Sequence, residues 1–401
     1  MNNGDTAWLL VSSALVLLMT PALALFYGGL VRRKNVLSTL MHSMAALPVI
    51  SLVWALVGYS LAFGTSRGGF IGGFEHFALS GLANTENGSI PGLVFAAFQM
   101  MFAIITPALI SGAFAERMKF SAYLVFITAW SLLVYVPVCH WVWNGEGWLL
   151  KRGALDFAGG TVVHMTSGFS ALICALVLGR RSTYPQEPPM PHNLTMTMLG
   201  AGMLWFGWFG FNAGSALGAN QIAATALMTT HLGAAGGAFA WLIIEWWHRS
   251  KPTALGVASG LVAGLVAITP AAGFVAPWAA IVIGLAAGLA CYGAVLLKNV
   301  LRYDDALDAF GIHGVGGLLG ALLTGIFATR AINPAGSGAI DGNIELLWEQ
   351  FLAVAVTAVY AMGISYILLK LIDVVMGLRV LAHEEAEGLD ATLHGEQGYE
   401  L

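Results

Sequence analysis

Apolar residues run along this chain for about twenty positions at a time, the length that a bilayer-spanning helix needs, and short polar breaks separate the runs. They fall at 7–30, 37–62, 91–114, 120–139, 158–179, 195–213, 221–245, 254–270, 276–298, 311–328 and 345–371, which makes eleven predicted spans. The runs are continuous rather than alternating, so they predict helices and not the strands of a membrane barrel. Composition agrees. Of 401 residues, 58% are hydrophobic and 9% charged, whereas soluble domains carry about 25% charged residues. The predicted class is an all-α polytopic membrane protein.

Basic residues set the expected orientation, because they accumulate on the cytoplasmic side. With the N-terminus outside, Arg67, Lys151, Arg152 and Arg330 lie outside, and the remainder of the 17 Lys and Arg lie inside. That bias predicts N-out/C-in in the cell membrane. The segment Met1 to Ala7 carries Asp5 and no basic residue, so the first run is expected to be a retained span rather than a cleaved signal. A polar segment with Pro185, Pro188, Pro189 and Pro191 divides the chain. Five spans on each side of it imply two inverted five-helix repeats plus an eleventh helix, with substrate at their interface. The expected units are 1–181 (first repeat), 182–194 (cytoplasmic linker), 195–330 (second repeat), 331–372 (outer loop and span 11) and 373–401 (cytoplasmic tail).

Glycine contributes 50 residues, about 12% against a usual 7%, as expected for closely packed membrane helices. The three cysteines, Cys139, Cys174 and Cys291, lie in or beside apolar runs without paired spacing. They read as small core residues, with no disulfide or metal site implied. The net charge of −4 and the lack of a basic stripe argue against a nucleic-acid partner. Nucleotide loop, nucleophile triad and metal cluster are all missing from the sequence, so no enzyme and no cofactor is expected.

Ionisable side chains inside a bilayer are costly and mark function. His164, in TVVHMTSG, and His313, in FGIHGVGG, occupy matching places in spans 5 and 10. Each alone reads equally well as a satisfied core histidine. Together they predict a pair across the two-fold axis that shares a hydrogen bond and passes a proton. His231 has no counterpart and is expected to be structural. Asp156 before span 5 is expected to cap that helix, and Asp308 before span 10 is expected to do the same. Trp143 lies in the outer loop, where it serves either as an interfacial anchor or as a ring face for a small cation.

Five internal motifs and the tail carry a family resemblance. FYGGLVRRKN (26–35), AERMKFSAYL (115–124), DFAGGTVVHMTSG (156–168), PHNLTMTMLGAGMLWFGWFGFNAGS (191–215), DALDAFGIHGVGG (305–317) and GLRVLAHEEAEGLDATLHGEQGY (377–399) resemble the ammonium transporter family, Amt/Mep/Rh, and its prokaryotic Amt branch. The resemblance implies a homotrimer that moves ammonium, as ammonia plus a proton, through a narrow pore in each subunit, with methylammonium as an analogue. It implies an outer cation site at Trp143, Phe98, Phe102 and Ser215, and a gate of Phe102 and Phe211. It places His164, His313 and Trp208 in the pore and Asp156 near the entrance. A glycine run common after the vestibule tryptophan is replaced here by Asn144-Gly145-Glu146-Gly147. The resemblance also implies a regulatory tail, with Gly388 and Asp390 at its turn, and a PII-type signal protein at the cytoplasmic face. The tail is mostly acidic, with Asp373, Glu384, Glu385, Glu387, Asp390, Glu396 and Glu400 against Arg379. It is expected to pack on the cytoplasmic face, using the basic loops Arg32–Lys34 and Arg180–Arg181. The alternative is an ammonium sensor that signals with little flux, but only about 30 residues follow span 11, too few for an effector domain.

Overall fold

The computed structural model of the protein describes residues 1–186 and 190–399. Pro188 and Pro189 of the predicted linker and Glu400 of the predicted tail lie outside the described residues. Among these residues, ten helices are long and apolar enough to cross a membrane. They are α1 (Asn3–Leu30), α2 (Arg33–Phe63), α3 (Gly92–Phe114), α4 (Phe120–Lys151), α5 (Gly160–Leu178), α6 (Leu194–Gly214), α7 (Gln221–Arg249), α9 (Pro277–Leu301), α10 (Phe310–Phe327) and α11 (Glu345–Met376). Between α7 and α9 lies α8 (Ala254–Ile268), equally apolar but only 15 residues long. A short tail helix, α12 (Ala382–Glu387), follows. The runs predicted from hydropathy therefore all became helix, and the structure adds a small antiparallel hairpin, β1 (Glu86–Asn87) with β2 (Ile90–Pro91).

Side-chain caps start several of these helices. Asn2, Asn193, Asn220 and Thr253 accept the first amide N–H groups of α1, α6, α7 and α8, which otherwise have no intrahelical partner. α4 breaks at residues 144–147, where the chain folds back into a last turn, Trp148–Lys151. α3, α5 and α8 are the most enclosed helices, and α2 and α9 turn most of their length outward. The centre of the bundle is therefore built on α3, α5 and α8 with their neighbours α6 and α10.

Close helix crossings explain part of the glycine excess. A Cβ on either Gly264 or Gly284 would sit 2.2 Å from the Gly233 carbonyl oxygen, so α7, α8 and α9 meet backbone to backbone. A Cβ on Gly168 would sit 2.1 Å from the Gly314 amide nitrogen, so α5 and α10 cross in contact just past their histidines. Small residues permit this approach where larger ones would push the helices apart. Cys139, Cys174 and Cys291 are buried and unpaired with one another.

Candidate functional site

The site begins with the first turn of α5. Gly159, at φ +117, brings the chain sharply into the helix. The Asp156 carboxylate then accepts four successive amides, Gly159 and Gly160 on one oxygen at 2.8 and 2.7 Å, Thr161 and Val162 on the other at 2.8 and 3.0 Å. The expected cap is thus present, and it satisfies all of the amides that a helix start leaves open. The turn it caps, Gly160–Met165, is π-helical and carries His164. Local π turns of this kind re-aim a side chain, and they recur at functional sites.

α10 starts in the same manner, through a different residue. Asp305, not Asp308, accepts the amides of Ala309 and Phe310 at 3.1 and 2.8 Å. The turn that follows, Phe310–Gly314, is again π-helical and carries His313. Asp308 adopts φ +61, which turns its carboxylate onto the Lys298 ammonium instead. Asp308 therefore does not cap α10, contrary to what its position before span 10 suggests.

The two turns bring the histidines together. Their Nδ1 atoms are 3.2 Å apart and their rings are nearly parallel, 16° apart with centroids at 5.3 Å. Trp208 stacks on His164 at 5.4 Å, and its indole N–H donates to the Thr269 hydroxyl at 2.9 Å, which fixes the ring plane. Apolar side chains, among them Val163, Leu204 and Val262, close the rest of this lumen. Its free volume is about 10 Å³, space for about one water-sized molecule. His164 Nε2 has no hydrogen-bond partner in the protein.

Above the lumen, Phe211 and Phe102 lie across the path with ring centroids 4.3 Å apart. Beyond them opens a vestibule of about 390 Å³ lined by Phe102, Trp143 and Ser215, with Gln99 and Phe157 beside them. Trp143 stands at 89° to Phe102, with centroids 5.7 Å apart. Its indole N–H donates to the Asp156 carbonyl at 2.9 Å, so the residue that caps α5 also aims the ring. The Ser215 hydroxyl donates to the Phe211 carbonyl at 2.8 Å, leaving its oxygen free to accept.

Phe98, expected beside this vestibule, is fully buried behind Phe102 at 4.9 Å and does not line it. Glu146 pairs with Lys151 at 2.9 Å among solvent-exposed groups. His231 is exposed on the outside of the bundle and stacks on Trp205 at 5.1 Å. Two residues of the site escaped the sequence reading, Gln99 and Asp305. Gln99 carried a usable signal, as the one amide side chain in an otherwise apolar span.

At the opposite end of the bundle, a buried network gathers Glu116, Arg181 and Asp304. Arg181 pairs with Glu116 at 2.9 Å and with Asp304 at 2.7 Å. Burial pushes the Glu116 carboxyl up, but the Arg181 guanidinium and the Arg32 amide hold it below the usual range. The tail joins this network through Asn35, which donates to Glu116 and accepts the Leu389 amide, at 2.9 and 2.8 Å. Asp390 accepts the amides of Leu37 and Ser38, at 3.1 and 2.8 Å, and so caps α2. Glu385 pairs with Arg379 of the tail itself and accepts the Ser182 amide. The tail is thus ordered against the face expected for it. Arg181 is committed to Glu116 and Asp304, and the tail is held by backbone amides at Leu37, Ser38 and Ser182, by Asn35, and by Lys119, which donates to the Met376 carbonyl at 2.9 Å. Lys34 contributes one bond, to the Ala386 carbonyl.

Comparison with known proteins agrees with this geometry. The sequence profile of the Ammonium Transporter Family matches residues 7–399. An ammonium transporter of Bacillus subtilis (strain 168) is 49% identical over 405 residues, covering 100% of this chain and 99% of its own length. The crystal structure of Mep2 from Saccharomyces cerevisiae superposes with a TM-score of 0.90 at 40% identity, covering 96% of this chain and 88% of that one. A structure named Sensor Amt Protein superposes with a TM-score of 0.92 at 30% identity, covering 98% of each chain. With a profile match over nearly its whole length and a relative at this identity, the chain belongs to the ammonium transporter family, a family of multi-pass membrane transporters rather than enzymes.

Proposed function

We propose that the protein carries ammonium across the cell membrane, collecting the cation in the Trp143 vestibule and passing it to the histidine pair as ammonia plus a proton. The observation that carries this reading is the 3.2 Å Nδ1–Nδ1 contact in a lumen too small for a hydrated ion. In the vestibule the faces of Trp143 and Phe102 attract a cation, each by about 0.5–2 kcal/mol, and the Ser215 oxygen accepts one N–H. These replace part of the water shell before the gate. An unescorted charge in the apolar lumen is opposed by desolvation.

The histidine geometry lowers that barrier. A hydrogen bond between two Nδ1 atoms needs a donor on one ring and an acceptor on the other. The accepting ring then carries its proton on Nε2, and the donating ring presents a bare Nε2. Ammonium gives one proton to that bare nitrogen and continues as ammonia, while the shared hydrogen shifts between the Nδ1 atoms and the second ring releases its own Nε2 proton. The proton that enters equals the proton that leaves. Potassium has no proton to surrender and is excluded.

We propose further that α8 is the eighth of eleven spans and that the chain holds two inverted five-helix repeats. The support is the matched pair of aspartate-capped π turns at the starts of α5 and α10. The orientation N-out/C-in follows from the basic bias toward the tail end. A homotrimer, and a PII-type signal protein docking at the tail end, follow from the family resemblance. Transport is favoured over sensing, since the relative at 49% identity is an ammonium transporter and the sensor structure matches at 30%. Currents across proteoliposomes in ammonium, potassium and sodium test the proposal. Ammonium-specific current is expected, and saturable binding without flux would overturn it in favour of the sensor.

A further inference from the structure

One polar side chain at the vestibule is left without a partner. Gln99 lies on α3 three residues before Phe102, so the helix sets the two side chains on one face. It lines the same vestibule as Trp143 and Ser215, and only 8% of it is exposed. Its carbonyl oxygen Oε1 is buried and accepts no hydrogen bond. A buried acceptor left open is destabilising unless a donor arrives. Three donors of the vestibule wall are committed elsewhere. The Trp143 indole serves the Asp156 carbonyl, the Ser215 hydroxyl serves the Phe211 carbonyl, and the Asn144 amide serves the carbonyls of Ala62 and Gly64. The two ends of a carboxamide exchange by a half-turn about its last torsion, so the carbonyl can face whichever side offers a donor.

We infer that Gln99 is a specificity-determining residue of the vestibule, its amide carbonyl serving as a second oxygen acceptor for ammonium beside the Ser215 hydroxyl. The inference rests on the vestibule being the ammonium site and adds a residue to it. Ammonium presents four N–H groups in a tetrahedron. Two of them meet the oxygens of Ser215 and Gln99, and the others face the rings of Trp143 and Phe102. Together these stand in for most of the hydration that the ion gives up before the gate. Methylammonium has one N–H fewer and a methyl group that no oxygen can serve. An amide at position 99 therefore favours the parent ion, and an apolar side chain there favours the methylated one.

Two variants test this in proteoliposomes. Gln99→Met keeps the length and removes the polar ends, whereas Gln99→Glu keeps the shape and adds a negative charge. The readouts are the half-saturation concentrations for ammonium and methylammonium, with maximal current measured separately at equal amounts of inserted protein. Gln99→Met should raise the ammonium half-saturation about tenfold, as for loss of a hydrogen bond to a charged group. Its maximal current should stay within about twofold, and its preference for ammonium over methylammonium should shrink. Gln99→Glu should shift the ammonium half-saturation the opposite way. A packing role would move both variants in the same direction, or prevent both from inserting, and either result overturns the inference. If the wild type saturates and both variants saturate at the same concentration as it does, the role of Gln99 falls alone. If the wild type shows no saturable response to ammonium, the vestibule reading falls and takes this inference with it.

Discussion

The starts of α5 and α10 present the same chemistry to the lumen and opposite connections to the rest of the molecule. Each is an aspartate cap, then a π turn, then a histidine, and the two histidines meet. At α5 the carboxylate of Asp156 takes four amides, and the carbonyl of the same residue holds the Trp143 ring over the vestibule. At α10 Asp305 takes two amides. Its neighbour Asp304 belongs to the Arg181 and Glu116 network, which continues through Asn35 to the tail. One half of the pair is thus wired to the vestibule, and the other to the ordered tail. The symmetry of the two histidines does not extend to their supports, so equivalent substitutions in the two halves should differ in effect.

The largest expected difference is in stability. Asp156→Ala strands four buried amides at about 1 kcal/mol or more each, so it should cost roughly 4 kcal/mol or abolish insertion. Asp305→Ala strands two and should cost about half as much. Thermal unfolding of the purified variants checks the ratio, and equal losses would break the comparison. Next in size is the tail. Gly388 has φ +119, and a Cβ there would lie 2.7 Å from Lys34. Gly388→Asp combines that clash with backbone strain of about 1–3 kcal/mol, enough to undock the tail. We expect faster hydrogen exchange at the Leu389 amide and lower flux, as for truncation after Asp373. Wild-type transport by the truncated chain would show that the tail connection carries nothing to the pore.

Asp305 also gives the α10 side a pH dependence. Burial pushes its carboxyl up to about 6, against the pull of Lys298. The native state therefore binds more protons than the unfolded chain between about pH 4 and 6, and stability falls as pH rises through that window. The change is at most about 3 kcal/mol, from a displacement of some two units at 1.36 kcal/mol each. Asp305→Asn should flatten the midpoint of unfolding over this range, and an unflattened profile would assign the dependence elsewhere. The smallest expected effect is at the vestibule. Trp143→Leu should raise the half-saturation for ammonium by up to about tenfold, for a contribution near 1.4 kcal/mol. No change would return Trp143 to the role of an interfacial anchor.

Much of this was legible in the sequence, for identifiable reasons. Span positions follow from hydropathy, which depends only on local composition. The histidine pair was readable because ionisable groups are rare in an apolar run. The identity of the second cap was not. Asp305 and Asp308 have the same side chain three residues apart, and only the left-handed backbone at Asp308 decides which one reaches the amides. The π turns were equally hidden, since they shift the hydrogen-bond register without changing composition. In the tail, the acidic charges suggested docking on basic loops, yet Asp390 caps a helix start and Arg181 is already paired within the body. Charge counts report sign but not which partners are already occupied.

The proposal that the two histidines together carry the proton that ammonium leaves behind stands or falls on the ammonium and potassium currents through proteoliposomes holding the double variant His164→Ala, His313→Ala, beside the wild type. Ammonium current without potassium current is expected in the wild type, and in the double variant either a large loss of ammonium current or the appearance of potassium current. A double variant with the wild-type rate and the wild-type selectivity would contradict it.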